Sequence, residues 1–220
     1  MRTQPLESSR VSARFTRGVG RLVLERPEAL NALDLGMVRG LREALEAWRD
    51  EPDVERILLE GAGDRGLCAG GDVRGLAESI MSGNAEGAGT FFREEYALNA
   101  AIAEYPKPIV ALADGVTMGG GIGLAGHAAV RIVTERSALA MPETRIGFTP
   151  DVGGTRLLAR APGHSGEYLA LTGGTMSAAD AIYAGFADLL VPSERLDAVR
   201  EALESRADPG GATEVAMLFD

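Results

Sequence analysis

Between Val11 and Leu24 apolar and polar positions alternate loosely around Gly18 and Gly20, which predicts two strands about a tight turn. Pro27 ends that run, because proline cannot donate to a strand ladder. Met37, Leu41, Leu45 and Trp48 then recur at helical spacing, so a helix is predicted over 35–49 with Asp34 as its N-cap. Residues 57–60 predict a short strand. Residues 74–103 read as largely helical, interrupted at Ser82-Gly83-Asn84 and again over Gly87–Gly89, a predicted mobile loop. After Pro106-Lys107-Pro108 the apolar run 109–113 predicts a buried strand. Three glycines follow at 119–121, then a helix over about 121–129. Further strands are predicted at 130–133 and 189–192, and helices at 155–160, 165–171, 178–184 and 196–203. Strands alternating with helices give an α/β class. One core domain over 1–205 is expected, with an irregular tail over 206–220.

Composition narrows the picture. The 220 residues are 45% hydrophobic and 25% charged, as in one soluble globular domain, and the core must be built from Leu, Val, Ile and Ala because aromatics are only 5%. A net charge of -10 argues against a general nucleic-acid partner, which needs a basic face. The single cysteine, Cys68, excludes a disulfide within the chain and points to a reducing compartment: the cytoplasm, or the mitochondrial matrix if the source is eukaryotic. No apolar run is long enough to span a membrane, so no membrane partner is expected. No apolar segment follows a basic start, so no secretory signal is expected either. The Arg-rich, acid-poor stretch 2–21 weakly resembles a transit peptide, but the favoured reading is a first strand with solvated arginines. No Cys/His set suggests a metal site. Cys68 reads as a packing residue, His127 as a packing or surface residue, and His164 and Glu94 as solvated ones.

The costly feature is Met118-Gly119-Gly120-Gly121-Ile122-Gly123, because each glycine loses more backbone freedom on folding than any other residue. A strand that ends in such a turn and opens a helix presents unpaired N–H groups. Three uses compete: phosphate binding, an oxyanion hole, or close helix–strand packing. The Lys-Ser/Thr of a phosphate-binding loop is missing. A second stretch, Gly66-Leu67-Cys68-Ala69-Gly70-Gly71-Asp72, also follows a strand and precedes a helix. An oxyanion hole needs two converging donors, and two such turns can supply one each. Asp72 is expected to cap the helix after its loop.

The stretches Gly66-Leu67-Cys68-Ala69-Gly70-Gly71-Asp72 and Asp114-Gly115-Val116-Thr117-Met118-Gly119-Gly120-Gly121, with Arg26-Pro27-Glu28-Ala29-Leu30-Asn31-Ala32-Leu33, resemble the signature segments of the enoyl-CoA hydratase/isomerase (crotonase) superfamily over about residues 15–192. The resemblance implies a spiral of ββα units with surrounding helices, an acyl-CoA ligand and an oxyanion hole from the N–H groups of Gly71 and Gly120. It places Ala69, Gly71 and Asp72 against the coenzyme A portion, which belongs to the substrate, so that no separate cofactor is required. It also implies a trimer-based homo-oligomer. Hydratases of this superfamily pair a glutamate at the position of Glu143 with one at the position of Gly123, so this chain keeps one of the two.

Phe91-Phe92-Arg93-Glu94-Glu95-Tyr96-Ala97-Leu98-Asn99, Thr117-Met118-Gly119-Gly120-Gly121 and Met141-Pro142-Glu143-Thr144-Arg145-Ile146-Gly147-Phe148-Thr149-Pro150-Asp151-Val152-Gly153-Gly154 are closer to the 3-hydroxyisobutyryl-CoA hydrolase subfamily. That resemblance implies Asp151 as the second carboxylate and Glu95 as a substrate-holding group, with Gly120, Glu143 and Asp151 also contacting substrate. The favoured expectation is hydrolysis of a short branched 3-hydroxyacyl-CoA thioester, as in valine catabolism. Glu143 would act as base or nucleophile. The alternatives are a hydratase or isomerase using Glu143 alone, and a non-catalytic CoA-binding module lacking the superfamily's C-terminal helices, since the chain ends soon after residues 196–203.

Overall fold

A computed structural model describes residues 2–4, 6 and 10–205; the expected tail at 206–220 lies outside the described residues. The chain runs β1 (Arg2–Gln4), β2 (Val11–Thr16), β3 (Gly18–Leu24), α1 (Leu35–Trp48), β4 (Val54–Gly61), β5 (Gly66–Cys68), α2 (Val73–Met81) and α3 (Ala85–Ala103). It continues through β6 (Ile109–Ala113), β7 (Val116–Met118), α4 (Gly120–Ala125), β8 (Val130–Val133), β9 (Ala138–Ala140), α5 (Gly154–Leu158) and α6 (Ser165–Thr172). The last elements are β10 (Thr175–Met176), α7 (Ala178–Tyr183), β11 (Leu189–Leu190) and α8 (Leu196–Ser205).

A seven-stranded sheet takes the order β1-β2-β3-β4-β6-β8-β11, antiparallel as far as β3 and parallel from there on. A second sheet of four strands takes the order β10-β9-β7-β5. Each turn of the spiral sends its first strand to the large sheet (β4, β6, β8) and its second to the small one (β5, β7, β9), and then a helical stretch follows. This is the expected ββα spiral.

Period-2 alternation in the large sheet separates two cores. Ile57, Leu59 and Ala111 face the α1 side, where Met37, Leu41, Leu45 and Trp48 are all buried. Leu58, Val110 and Leu112 face the other way, under Leu196, Val199 and Leu203 of α8. The Asp34 side chain accepts the Met37 N–H at 2.8 Å, capping α1 as expected.

The structure differs from the expected elements in several places. Gly87 and Gly89 lie inside α3, so only Ser82-Gly83-Asn84 interrupts the helical stretch. Asn84 accepts the Gly87 N–H at 3.0 Å, and this cap starts α3 ahead of its glycines. The strand at 57–60 extends over Val54–Gly61, and the helix after the glycines stops at Ala125. Glu94 is not simply solvated: Arg39 on α1 grips both its oxygens, at 2.7 and 2.8 Å, tying α3 to α1. The small sheet was not anticipated, because its strands of two or three residues are too short to show a period.

Candidate active site

β5, β7 and β9 lie side by side and parallel. Their carboxyl ends therefore open at one level, the usual place for a ligand in such sheets. Gly71 follows β5, Gly120 follows β7 and Glu143 follows β9. Three segments spread over 72 residues of chain, from Gly71 to Glu143, are delivered to one edge by strand register.

The segment 26–33 pins the first of these loops. Buried Asn31 accepts the Arg26 N–H at 2.9 Å and donates to the carbonyls of Ala62 and Gly66, each at 3.0 Å. The Leu33 N–H donates to the Gly70 carbonyl at 2.8 Å, and the Ala69 N–H to that of Leu30 at 3.0 Å. Asp72 accepts the Gly75 N–H at 3.0 Å, as an N-cap, and pairs with Arg26 at 2.8 Å. Its carboxylate is thus engaged away from the cavity, which Ala69 and Gly71 do line. Asp72 itself does not line the cavity.

Each of the three glycines has its own crowding neighbour. Gly119 sits at φ 49°, and a Cβ there would lie 2.9 Å from Glu143 Oε1. A Cβ at Gly120 would overlap Glu95 Oε1 and stand 3.3 Å from the Gly71 nitrogen; one at Gly121 would overlap the Cys68 carbonyl oxygen. The N–H groups of Gly71 and Gly120 are thus close together, and among the described residues neither donates to a main-chain carbonyl.

The cavity in front of them encloses about 310 Å³. Phe91, Phe92, Phe148, Val73, Leu76 and Ile80 give it an apolar wall, against which Phe92 and Phe148 stack at 5.7 Å. Three carboxyl groups enter this wall: Glu95 from α3, Glu143 from the turn after β9, and Asp151 from the loop before α5. All the residues expected to act on substrate are therefore brought together.

Among the described residues no Lys, Arg or His lines the cavity, so no cation there balances the carboxyl groups. Burial pushes the Glu95 carboxyl up to about 8, with Asp151 and then Glu143 adding to the rise. Burial likewise takes Glu143 up to about 7, with Asp151 adding to it. Asp151 is raised by burial too, against a hydrogen bond from the Tyr96 hydroxyl at 2.7 Å that favours its ionised form. Glu95 Oε1 and Glu143 Oε2 are buried without a hydrogen-bond partner, the state of groups set to meet a ligand. Cys68 is fully buried, and burial pushes its thiol up to about 12, so it is inert packing as expected. His164 is exposed, also as expected.

Two residues of the Phe91–Asn99 motif to which the sequence assigns no role stand near the site. Tyr96 was visible beside Glu95, but only the fold shows its hydroxyl on Asp151. Asn99, one helical turn beyond Glu95, fills the place opposite Gly123: a Cβ there would lie 2.7 Å from Val152 Cβ and 2.8 Å from Asn99 Nδ2. A glutamate at position 123, as in the two-glutamate hydratases, has no room.

The enoyl-CoA hydratase/isomerase family model matches residues 19–219. The mitochondrial 3-hydroxyisobutyryl-CoA hydrolase of Rattus norvegicus is 47% identical over 201 residues, 91% of this chain and 52% of that protein. Its counterpart in Xenopus tropicalis is 45% identical over 190 residues, 86% of this chain and 49% of that protein. The chain thus spans about half the length of these relatives. Their names place them in mitochondria, which fits the matrix expectation and gives the cytoplasmic one no support. Among solved structures, a carnitinyl-CoA dehydratase from Mycobacterium thermoresistibile matches at TM-score 0.87 and 44% identity, over 97% of this chain and 66% of that one. An enoyl-CoA hydratase from Rhodobacter sphaeroides 2.4.1 matches at TM-score 0.87 and 46% identity, over 96% and 66%. With the ββα spiral, the two glycine loops and a family match over nine-tenths of its length, this chain belongs to the enoyl-CoA hydratase/isomerase family.

Proposed function

We propose that this chain hydrolyses the thioester of a short branched 3-hydroxyacyl-CoA of the 3-hydroxyisobutyryl type, an intermediate of valine catabolism. The observation that carries the reading is the convergence of Glu143 and Asp151 on a cavity beside the Gly71 and Gly120 amides, while position 123 offers neither a carboxylate nor space for one. The names of the relatives support the same chemistry.

The thioester oxygen accepts from the Gly71 and Gly120 N–H groups, which meet the negative charge as the carbonyl carbon becomes tetrahedral. Glu143 removes a proton from water as the water oxygen bonds to that carbon. The C–S bond then breaks, and the proton passes to the departing thiolate, leaving free acid and free coenzyme A. In the variant route Glu143 attacks the carbon itself, expels the thiolate as an anhydride forms, and water then opens the anhydride. Asp151 orients the water or the substrate hydroxyl. Glu95, protonated near neutral pH, donates to the substrate hydroxyl. The phenylalanine wall takes the branched carbon skeleton.

Thiol release from 3-hydroxyisobutyryl-CoA tests this reading. Glu143→Gln and Asp151→Asn are each expected to slow release by about 10²–10⁴-fold. Single turnover in oxygen-18 water separates the routes, because label in the Glu143 carboxyl requires the anhydride. The dehydratase and hydratase names of two similar structures favour a second reading, water removal or addition at an enoyl-CoA through Glu143. Enoyl-CoA turnover without thiol release would establish that one. Coenzyme A binding without turnover of either substrate would leave a binding module. The same family reading carries a trimer-based assembly, for which sedimentation of the full chain is the test.

A further inference from the structure

After α4 the chain turns through Gly126 and His127 before entering β8. The half-buried His127 ring places Nε2 2.8 Å from the carbonyl oxygen of Val152. A carbonyl only accepts, so this nitrogen carries the ring proton. Val152 follows Asp151 directly, and its backbone is unusual. A β-branched residue rarely adopts positive φ, yet Val152 sits at 47° with its side chain buried against the Gly123 face of α4. Gly153 follows at φ 74°, and a Cβ there would come within 2.5 Å of His127 Nε2. The Gly154 N–H closes the turn by donating to the Asp151 carbonyl at 2.6 Å. Strained backbone of this kind persists only where its surroundings hold it.

We propose that His127 is a positioning residue for Asp151: its Nε2–H grips the Val152 carbonyl and holds the strained peptide that aims the Asp151 carboxylate into the cavity, where Tyr96 receives it. This rests on the reading of Asp151 as part of the hydrolytic machinery. Val152 gains nothing locally from positive φ. If the ring's hold is removed, the peptide relaxes toward the extended region and the Asp151 side chain rotates out of line with Glu143 and the Tyr96 hydroxyl. His127 itself does not line the cavity, so it acts through this peptide and not on the substrate.

The test compares His127→Gln, whose terminal N–H reaches as far as Nε2, with His127→Asn, whose shorter amide falls short of Val152. His127→Asn is expected to lower kcat about tenfold, with KM within about twofold, and His127→Gln to keep most of the wild-type rate. In an Asp151→Asn background, His127→Asn should cost nothing further. Wild-type kcat in His127→Asn, or a full additional loss in the Asp151→Asn background, would overturn the proposal. If Asp151→Asn hydrolyses as fast as the wild type, it is the role of Asp151 that fails. The positioning claim is then read without turnover, by carbon-13 NMR titration of the Asp151 carboxyl, which is faced by Tyr96 and Glu95 from α3 and by Glu143 from the turn after β9. Its midpoint should rise in His127→Asn as the Tyr96 bond is lost, and an unchanged midpoint would overturn the proposal.

Discussion

Glu143 and Asp151 share one cavity but are prepared differently. Glu143 is buried with an unpartnered oxygen and is pushed up to about 7, so its basic form is gained as pH rises through neutrality. Hydrolysis by this residue should fall on the acid side of about pH 7, as a kcat/KM profile would show. Asp151 instead rests on the Tyr96 hydroxyl. Tyr96→Phe removes the side-chain hydrogen bond that favours the ionised carboxylate. The Asp151 titration should then move upward, with kcat falling more than KM changes. Gly123 belongs to the same neighbourhood. Gly123→Ala sets a methyl 2.7 Å from Val152 Cβ, where overpacking costs about 1–3 kcal/mol. A drop in melting temperature checks this, and an unchanged melt would show that Val152 can move aside.

The elements carry the site through their ends. The segment 26–33 has little regular structure, yet it holds the first glycine loop from below. Asn31→Ala would leave the Ala62 and Gly66 carbonyls and the Arg26 N–H without the amide that serves them. The bond to Gly66 is buried, and a buried group left unpaired costs about 1–3 kcal/mol, so the urea midpoint should fall, and coenzyme A affinity with it as the loop loosens. Parallel register in the small sheet does the rest. Its strands pair over only two or three positions, but that is enough to set the loops after β5, β7 and β9 side by side.

At the scale of the whole molecule, the buried carboxyls should leave a mark on stability. Glu95 and Glu143 hold their protons up to about 8 and about 7 in the folded state, well above an ordinary glutamate. Between the unfolded and folded values the native state binds more protons, so stability falls as pH rises through that interval. The carboxyls lowered by partners, among them Asp72 and Glu94, titrate below this window and are already ionised on both sides. Urea midpoints should therefore decline from pH 6 to pH 9, and decline less steeply in a Glu95→Gln variant, where Glu143 alone remains. A midpoint that stays level in the wild type would mean that water reaches both carboxyls freely.

Taken alone, the sequence determined the class, most of the large-sheet strands, the α1 cap and its apolar face, and the two glycine loops. These are local matters: period, capping chemistry and glycine spacing are written in consecutive residues. Glu95, Glu143 and Asp151 were legible through resemblance, because their motifs are contiguous. The small sheet was not legible, since three-residue strands carry no period, and neither was the continuity of α3 through Gly87 and Gly89, which an Asn84 cap and packing against α1 override. Only the tertiary structure decided that Gly71 and Gly120 meet, that Tyr96 reaches Asp151, that Asn99 and Val152 occupy the space at Gly123, and that His127 holds Val152. Each of these depends on which strand ends lie side by side, and that register is set by pairing between residues far apart in the chain.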